Sequence, residues 1–126
     1  MITRIPGMPE GVLAFEAHGE VTGDDYENVL FPAVQDELAD RDKIRFLYVL
    51  GPGFTGYDAG ALWDDTKVGM DHWGAWERIA LVTDNGTLQG IVKAFGLLMP
   101  GEVKVFPLSD RDTAVAWITA EFDEDD

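Results

Sequence analysis

The residues best suited to chemistry lie between positions 64 and 72. Asp64, Asp65, Asp71 and His72 supply carboxylate oxygens and an imidazole nitrogen. If one helix runs through residue 72, Asp65 and His72 share a face, and Asp64 and Asp71 lie on an adjacent stripe. Convergence of Asp65, Asp71 and His72 would make a metal-dependent or acid/base hydrolase site. No His-x-x-x-His or Glu-x-x-His pair completes a transition-metal ligand set, so a solvated acidic face is the favoured interpretation.

Side chains that act as nucleophiles are scarce in this chain. There is no cysteine, which excludes disulfides, thiol catalysis and thiolate metal sites. The only serine, Ser109, has the position of a helix N-cap and lies in no Gly-x-Ser-x-Gly elbow. His18 stands alone late in a predicted strand, which is typical of a structural histidine. We therefore expect no catalytic residues, no metal and no cofactor.

The composition is that of one folded domain. The chain has 126 residues, of which 46% are hydrophobic and 11% aromatic, and these values argue against disorder. We expect a single domain over residues 1–120 and an acidic tail over 121–126. The first residues have no apolar run of the signal-peptide type, and nowhere do about 18 apolar residues follow one another. These patterns favour a cytoplasmic protein.

The charge is strongly unbalanced. Nine basic and 24 acidic residues give a formal net charge of −15. Nucleic-acid binding depends on clustered Lys and Arg that neutralise phosphates, so this charge excludes a nucleic-acid partner. Anionic lipid is repelled in the same way, which disfavours peripheral membrane contact.

The elements that would position a site alternate between strands and helices. Strand patterns cover 2–5, 11–19, 44–50, 78–83 and 103–106, and helical patterns cover 23–40, 59–70, 88–99 and the segment after Ser109. The order ββαβαβαβα predicts an α/β fold with four helices and a mixed, mainly parallel sheet of about five strands, with the N-terminal hairpin at one side. Thr22 is the expected N-cap of the first helix, and Pro32 predicts a kink inside it.

This order resembles the SpoIIAA-like family when it is taken together with particular residues. The residues are His18-Gly-Glu-Val-Thr-Gly-Asp-Asp-Tyr26 followed by Pro32, the Phe54-Thr-Gly-Tyr57 loop, the Trp76-Glu-Arg-Ile-Ala-Leu-Val82 strand, Val103-Lys-Val-Phe106, and the Ala114-Val-Ala-Trp-Ile118 helix. The family is related to STAS domains and, more loosely, to CRAL-TRIO lipid-binding domains. The resemblance implies a small, non-enzymatic regulatory domain that frequently forms dimers.

The resemblance also separates two ways in which relatives act. Some STAS relatives are switched by phosphorylation of a serine after the strand that 44–50 resembles. The matching stretch, 51–60, has no serine and only the hydroxyls of Thr55 and Tyr57, so an anti-anti-sigma role is not carried over. CRAL-TRIO relatives hold an apolar ligand between a mobile helix and the sheet, and this idea remains open for the present chain.

A ligand site is expected outside the carboxyl ends of the parallel strands. Those ends lead into 51–58, 83–87 and 106–109, and the first of these segments is rich in glycine. Aromatic residues concentrate nearby and belong either to the core or to an apolar pocket. For the pocket we assign Phe54, Tyr57, Trp63 and Trp73 to its lining and Thr55 to a polar contact. We expect the helix over 59–70 to shift beside it, and the ligand to be a partner protein or a small apolar molecule.

The apolar stripe of the predicted helix over 88–99 indicates an interface. The stripe is wider than one face of a sheet requires, so part of it is expected to be exposed. We assign Phe95, Leu97 and Leu98 to this interface and expect a homodimer, since two-fold dimers are the commonest oligomers. Shallow membrane contact is the alternative, with little electrostatic support.

Overall fold

The strands form one sheet whose spatial order follows the chain. The structure, a computed structural model, describes residues 1–58, 60, 73–99 and 101–120. The strands are β1 (Ile2–Arg4), β2 (Val12–Val21), β3 (Ile44–Tyr57), β4 (Trp76–Val82) and β5 (Glu102–Phe106), in the order β1-β2-β3-β4-β5. β1 is antiparallel to β2, and the other neighbours are parallel. The predicted mixed sheet with its N-terminal hairpin at one side is confirmed.

Helices follow β2, β4 and β5. They are α1 (Gly23–Asp25), a π-helical turn (Tyr26–Leu30), α2 (Phe31–Asp40), α3 (Gly86–Gly96) and α4 (Arg111–Thr119), with short 3-10 turns at Trp73–Ala75 and Leu108–Asp110. The helix predicted over 59–70 lies outside the described residues, apart from Gly60. The expectation that it shifts is therefore neither confirmed nor contradicted.

The first helical segment begins and bends where the sequence indicates. The Thr22 backbone N–H donates to Oδ2 of Asp25 at 2.9 Å, and the Asp25 N–H donates to Oγ1 of Thr22 at 3.3 Å, which is a capping box. Pro32 lies in the first turn of α2. Directly before it, the Phe31 N–H bonds to the Tyr26 carbonyl in π-helical register. The irregular turn expected from Pro32 is thus present as a π-helical turn.

The core consists of two hydrophobic clusters, one on each face of the sheet. Alternate residues of β2 belong to opposite clusters, as the period of a strand requires. On one face Leu13, Phe15, Phe46, Tyr48 and Leu81 pack with Val34 of α2 and with Leu88 and Val92 of α3. On the other face Val12, Ala14, Leu47, Val49, Ala80 and Val82 pack with Ala114 and Ile118 of α4. The helices therefore cover both faces.

The prediction of a loop over 51–58 is wrong. β3 continues through this stretch to Tyr57 because β2 continues to pair with it, matching Gly19 with Phe54 and Val21 with Tyr57. The register shifts on either side of Gly19, and both Gly19 and Gly56 have positive φ, of 57° and 140°. Glycine tolerates such backbone, so the glycines shape a bulged strand instead of a connection.

The N-cap assigned to Ser109 is also wrong. Ser109 lies inside the 3-10 turn Leu108–Asp110, which the Asp110 N–H closes onto the Pro107 carbonyl at 2.9 Å. α4 therefore begins at Arg111 and its N-cap is Asp110, whose side chain makes no capping hydrogen bond within the described part of the chain. A 3-10 turn in front of an α-helix satisfies the same backbone groups that a serine cap would.

Candidate functional site

A cleft of about 250 Å³ lies where β3 and β4 reach their carboxyl ends. Its lining consists of three consecutive strand residues and three residues at the start of α3, namely Phe54, Thr55, Gly56, Asn85, Thr87 and Leu88. Carboxyl ends of neighbouring parallel strands are where open α/β sheets bind their ligands. The cleft thus occupies the place that the fold favours for a site.

On the strand side of the cleft, successive side chains point toward the core and toward solvent. Phe54 is half-buried and packs against the core cluster beneath α2 and α3. The next residue, Thr55, is exposed, because successive side chains of a strand point to opposite sides. Gly56 follows with its positive φ and is paired with Glu20. The Phe54 ring and the Thr55 hydroxyl both border the cleft.

The helix side is held by hydrogen bonds within the turn that follows β4. Asn85 caps α3, since its Oδ1 accepts from the Leu88 N–H at 3.1 Å. The Asn85 N–H donates to Oγ1 of the buried Thr83 at 3.1 Å, and Nε2 of Gln89 donates to the Thr83 carbonyl at 2.6 Å. Oδ1 of Asp84 accepts from the Leu108 N–H at 2.9 Å. These bonds fix the helix side of the cleft.

The lining combines apolar surface with neutral polar groups. Phe54 and Leu88 supply the apolar part, and Thr55, Thr87 and Asn85 supply hydroxyl and amide groups. Among the described residues that line the cleft, none is charged. Such a lining suits a ligand with an apolar body and few polar atoms, for which charged groups would be costly to desolvate.

Part of the aromatic concentration in the sequence belongs to the core. Trp76 is only 5% exposed, and its ring lies edge-to-face with that of Phe46 at a centroid distance of 5.7 Å. Phe46 makes a second edge-to-face contact with Tyr48 at 5.6 Å. The hydroxyls of Tyr48 and Tyr26 lie 3.2 Å apart in the interior, which pairs two polar atoms inside an apolar layer.

The residues assigned to the pocket are only partly described. Phe54 and Thr55 both line the cleft. Tyr57 ends β3 and Trp73 begins a 3-10 turn, but their side chains lie outside the described part of the structure, as does all of Trp63. Asn85 and Thr87 lie in the segment 83–87, which was expected at this edge of the sheet, but neither they nor Leu88 were assigned to the pocket. The Asp84-Asn85-Gly86 turn after a buried strand was the available signal, and Asn85 caps the helix that follows it.

The residues assigned to the interface lie at the end of α3. Leu97 and Leu98 are 87% and 76% exposed, and Ile91 on the helix itself is 59% exposed. Phe95 is part of α3, with its side chain outside the described part of the structure. This end of α3 presents large apolar side chains to solvent.

The residues of the hydrolase alternative, Asp65, Asp71 and His72, lie outside the described residues. Within the described ranges, no group of three His, Cys, Asp or Glu side chains has metal-binding geometry.

His18 lies near a hydroxyl and a carboxylate, but they do not form a proton relay. Nε2 of His18 is 3.4 Å from Oγ1 of Thr3 and 3.8 Å from Oε2 of Glu16. Both contacts use the same ring nitrogen, whereas a relay needs the two nitrogens of the imidazole in turn. Glu16 also accepts from Nη1 of Arg111 at 3.1 Å, which ties β2 to the start of α4. Arg111 and Glu16 form a structural ion pair, and His18 lies beside it.

Among the helices in the described part of the chain, none is both long enough and apolar enough to cross a membrane.

Comparison with known proteins agrees with this architecture. The family model for SpoIIAA-like proteins matches residues 12–119. A crystal structure from Shewanella loihica PV-4, of an uncharacterized protein of the DUF3478 family with a SpoIIAA-like fold, is similar with a TM-score of 0.74 and 28% identity, over 94% of this chain and 92% of that one. Comparison with curated proteins finds no match. From its sheet order, its two-sided helical cover and the extent of the family match, the chain belongs to the SpoIIAA-like family.

Proposed function

We propose that the protein is a non-catalytic, STAS-like module that binds a small, mainly apolar ligand in the cleft between β3 and the start of α3. The observation that carries the proposal is the lining itself. It joins Phe54 and Leu88 to the neutral polar groups of Thr55, Thr87 and Asn85, at the carboxyl end of a parallel sheet.

The size of the cleft limits the ligand. A volume of about 250 Å³ equals that of about eight water molecules at ~30 Å³ each. Pockets for drug-sized ligands start at about 300 Å³, so the cleft suits a small molecule or one end of a longer chain. Release of such waters from apolar surface would supply the driving force for binding.

The chemistry of the site supports binding over catalysis. The polar groups of the lining are hydroxyls and an amide, which orient a ligand and do not transfer protons at neutral pH. Asn85 is already committed to the cap of α3, which leaves its amide nitrogen as the donor it can offer. Membership in a family of STAS-related modules supports the same interpretation.

Filling the cleft tests the proposal. Thr55→Trp replaces an exposed lining residue by a large ring, whereas Thr3→Trp makes the same change at an exposed position of β1 that is not among the lining residues. Native mass spectrometry of each protein, purified from its own host and then denatured, measures the mass that is bound non-covalently. We expect a small-molecule mass on the parent and on Thr3→Trp, and little or none on Thr55→Trp.

Two results would contradict the proposal. One is a bare parent protein that also fails to bind added 1-decanol, and the other is an equal bound mass on Thr55→Trp and the parent. A polypeptide mass that Thr55→Trp removes would instead assign the cleft to a partner protein.

A further inference from the structure

β5 is an edge strand of the described sheet. β5 pairs with β4 on one side, and in the described part of the chain no strand pairs with its other side. The Phe106 carbonyl accepts from the Thr83 N–H at 2.9 Å, so Phe106 directs its backbone groups toward β4. Because these groups alternate along a strand, Val103 and Val105 direct theirs outward. An edge of this kind is a template for another strand.

The side chains of β5 specify which strand would fit. Glu102 and Lys104 are both exposed, and they lie on the same face because they are two residues apart. In an antiparallel pairing across a two-fold axis centred on Val103, Glu102 lies opposite the partner's Lys104. By symmetry, Lys104 lies opposite the partner's Glu102. A register centred on Lys104 would instead place like charges opposite each other, which is unfavourable.

The hydrogen-bond geometry agrees with the register centred on Val103. The outward backbone groups of the two Val103 residues then form a hydrogen-bonded pair. Glu102 and the partner's Lys104 fall in the adjacent non-hydrogen-bonded position, where opposing side chains approach more closely. Charged residues on an edge strand normally prevent pairing, but this alternating pattern is complementary to itself.

The end of α3 extends the same surface. α3 packs closely on β5, since a Cβ placed on Gly96 would lie 2.8 Å from Cβ of Val103. Leu97 and Leu98, which directly follow Gly96, are exposed, and so is Ile91 earlier in α3. Although the chain has 24 acidic residues, the stretch 85–101 contains none. Two copies with a net charge of −15 repel each other least where acids are missing, so apolar contact is most favourable there.

We propose that a second copy of this chain docks on the β5 edge and the end of α3, which extends the sheet across a two-fold axis. β5 supplies the backbone hydrogen bonds and the reciprocal Glu102–Lys104 pairs, and Leu97 and Leu98 supply apolar contact. An anionic membrane is disfavoured on this surface by the charge of the chain. The dimer is independent of ligand binding, because the cleft lies at the opposite end of α3.

Charge exchange tests the register directly. Glu102→Lys and Lys104→Glu each place like charges opposite each other in a homodimer, whereas the double variant restores opposite charges. An equimolar mixture of the two single variants forms complementary heterodimers. By analytical ultracentrifugation of the full chain, up to about 100 μM, we expect each single variant to self-associate about tenfold more weakly than the parent. The mixture and the double variant should recover the dimer.

Folding controls are available because both charged side chains are exposed. Glu102 is 3.6 Å from the Arg78 guanidinium, and Lys104 lies over the Trp117 ring at 5.0 Å, so each variant loses one surface contact. Leu97→Asp is a second test, because it introduces a charge into the apolar part of the surface without touching β5. We expect it to give a folded monomer.

Three results would overturn the proposal. A parent protein that stays monomeric over the whole concentration range is one. A dimer that is unchanged by both single charge reversals and by Leu97→Asp is another. The third is a monomer that binds vesicles of mixed zwitterionic and anionic lipid through Leu97, which would make this surface a membrane contact.

Discussion

Nη1 of Arg45 donates to the carbonyl of Ala120 at 2.6 Å, which joins the beginning of β3 to the end of α4. The same guanidinium reaches the Ile118 carbonyl at 3.0 Å and Oε1 of Glu77 at 2.6 Å. Nη1 of Arg78 donates to the carbonyls of Trp117 and Ala120 at 2.9 and 3.1 Å. The last carbonyls of a helix lack intrahelical donors and carry partial negative charge, so two arginines satisfy them and stabilise the helix end.

Arg45→Met should destabilise the protein strongly. Arg45 is only 3% exposed, and its removal takes the side-chain donor from the buried Ile118 carbonyl and one of two arginine donors from the Ala120 carbonyl. We expect a loss of about 2–4 kcal/mol in the free energy of unfolding, as for several charge-assisted hydrogen bonds lost together. Urea unfolding followed by tryptophan fluorescence measures it.

Arg4→Met is the matched control for this change. Arg4 is 54% exposed and its nearest carboxylate contact, with Glu37, is 3.9 Å long. A pair of this kind contributes about 0–1 kcal/mol. Equal losses for the two variants would show that Arg45 does not anchor α4.

Two glycines of α3 should respond oppositely to alanine. Among the described residues, apart from its neighbours in α3, none lies within 4 Å of a Cβ built on Gly90, so Gly90→Ala should stabilise the protein by up to about 1 kcal/mol through helix propensity. A Cβ on Gly96 would lie 2.8 Å from Cβ of Val103, so Gly96→Ala should force α3 away from β5 and cost about 1–3 kcal/mol. Thermal unfolding of both variants checks the opposite signs, and equal stabilisation would contradict the close approach.

The capping box at the start of α1 should make stability depend on pH. Burial raises the pKa of Asp25, but the hydrogen bond from the Thr22 N–H, together with the N-terminal ammonium, outweighs burial and holds the pKa below its usual value. The unfolded chain therefore binds this proton more readily than the folded one. The stabilisation is complete above the ordinary carboxyl pKa of about 3.9 and is lost as the pH falls through the lower, folded value.

Asp25→Asn isolates this contribution. The difference in unfolding free energy between the parent and Asp25→Asn should be largest near pH 7 and should shrink below about pH 4. Asp36→Asn, which removes one negative charge at an exposed position of α2, is the control for the loss of a carboxylate. A constant difference for Asp25→Asn from neutral to acidic pH would contradict a depressed pKa.

The alternation of buried strands and amphipathic helices was sufficient to predict the sheet and its hairpin. The nearly continuous apolar runs 44–50 and 78–83 indicate strands that are buried on both faces of a sheet, and such burial requires helices on both sides. The extension of β3 was not predicted, because Gly51, Gly53 and Gly56 are typical of a turn and their pairing with β2 depends on tertiary contacts. The 3-10 turn before α4 was not predicted either. Ser109 followed by Asp110 and Asp112 is a sequence typical of a helix N-cap.

The edge of the sheet that holds the candidate site was predicted, but site residues were assigned only on its strand side. The rule that ligands bind at carboxyl ends of strands identified Phe54 and Thr55, which line the cleft. The helix side depends on how the Asn85 cap turns α3 toward β3, and a linear sequence does not carry that orientation. Leu88, at the start of the predicted helix over 88–99, both packs on the core and lines the cleft.

Binding of an apolar ligand in the cleft between β3 and α3 can be observed by an NMR titration. Backbone amide shifts of the 15N-labelled protein are followed while 1-decanol is added. We predict saturable shifts of the amides of Phe54, Thr55, Thr87 and Leu88 with one common dissociation constant, and their loss in Thr55→Trp but not in Thr3→Trp. Unchanged shifts at these residues, or saturable shifts centred elsewhere on the chain, would contradict binding in this cleft.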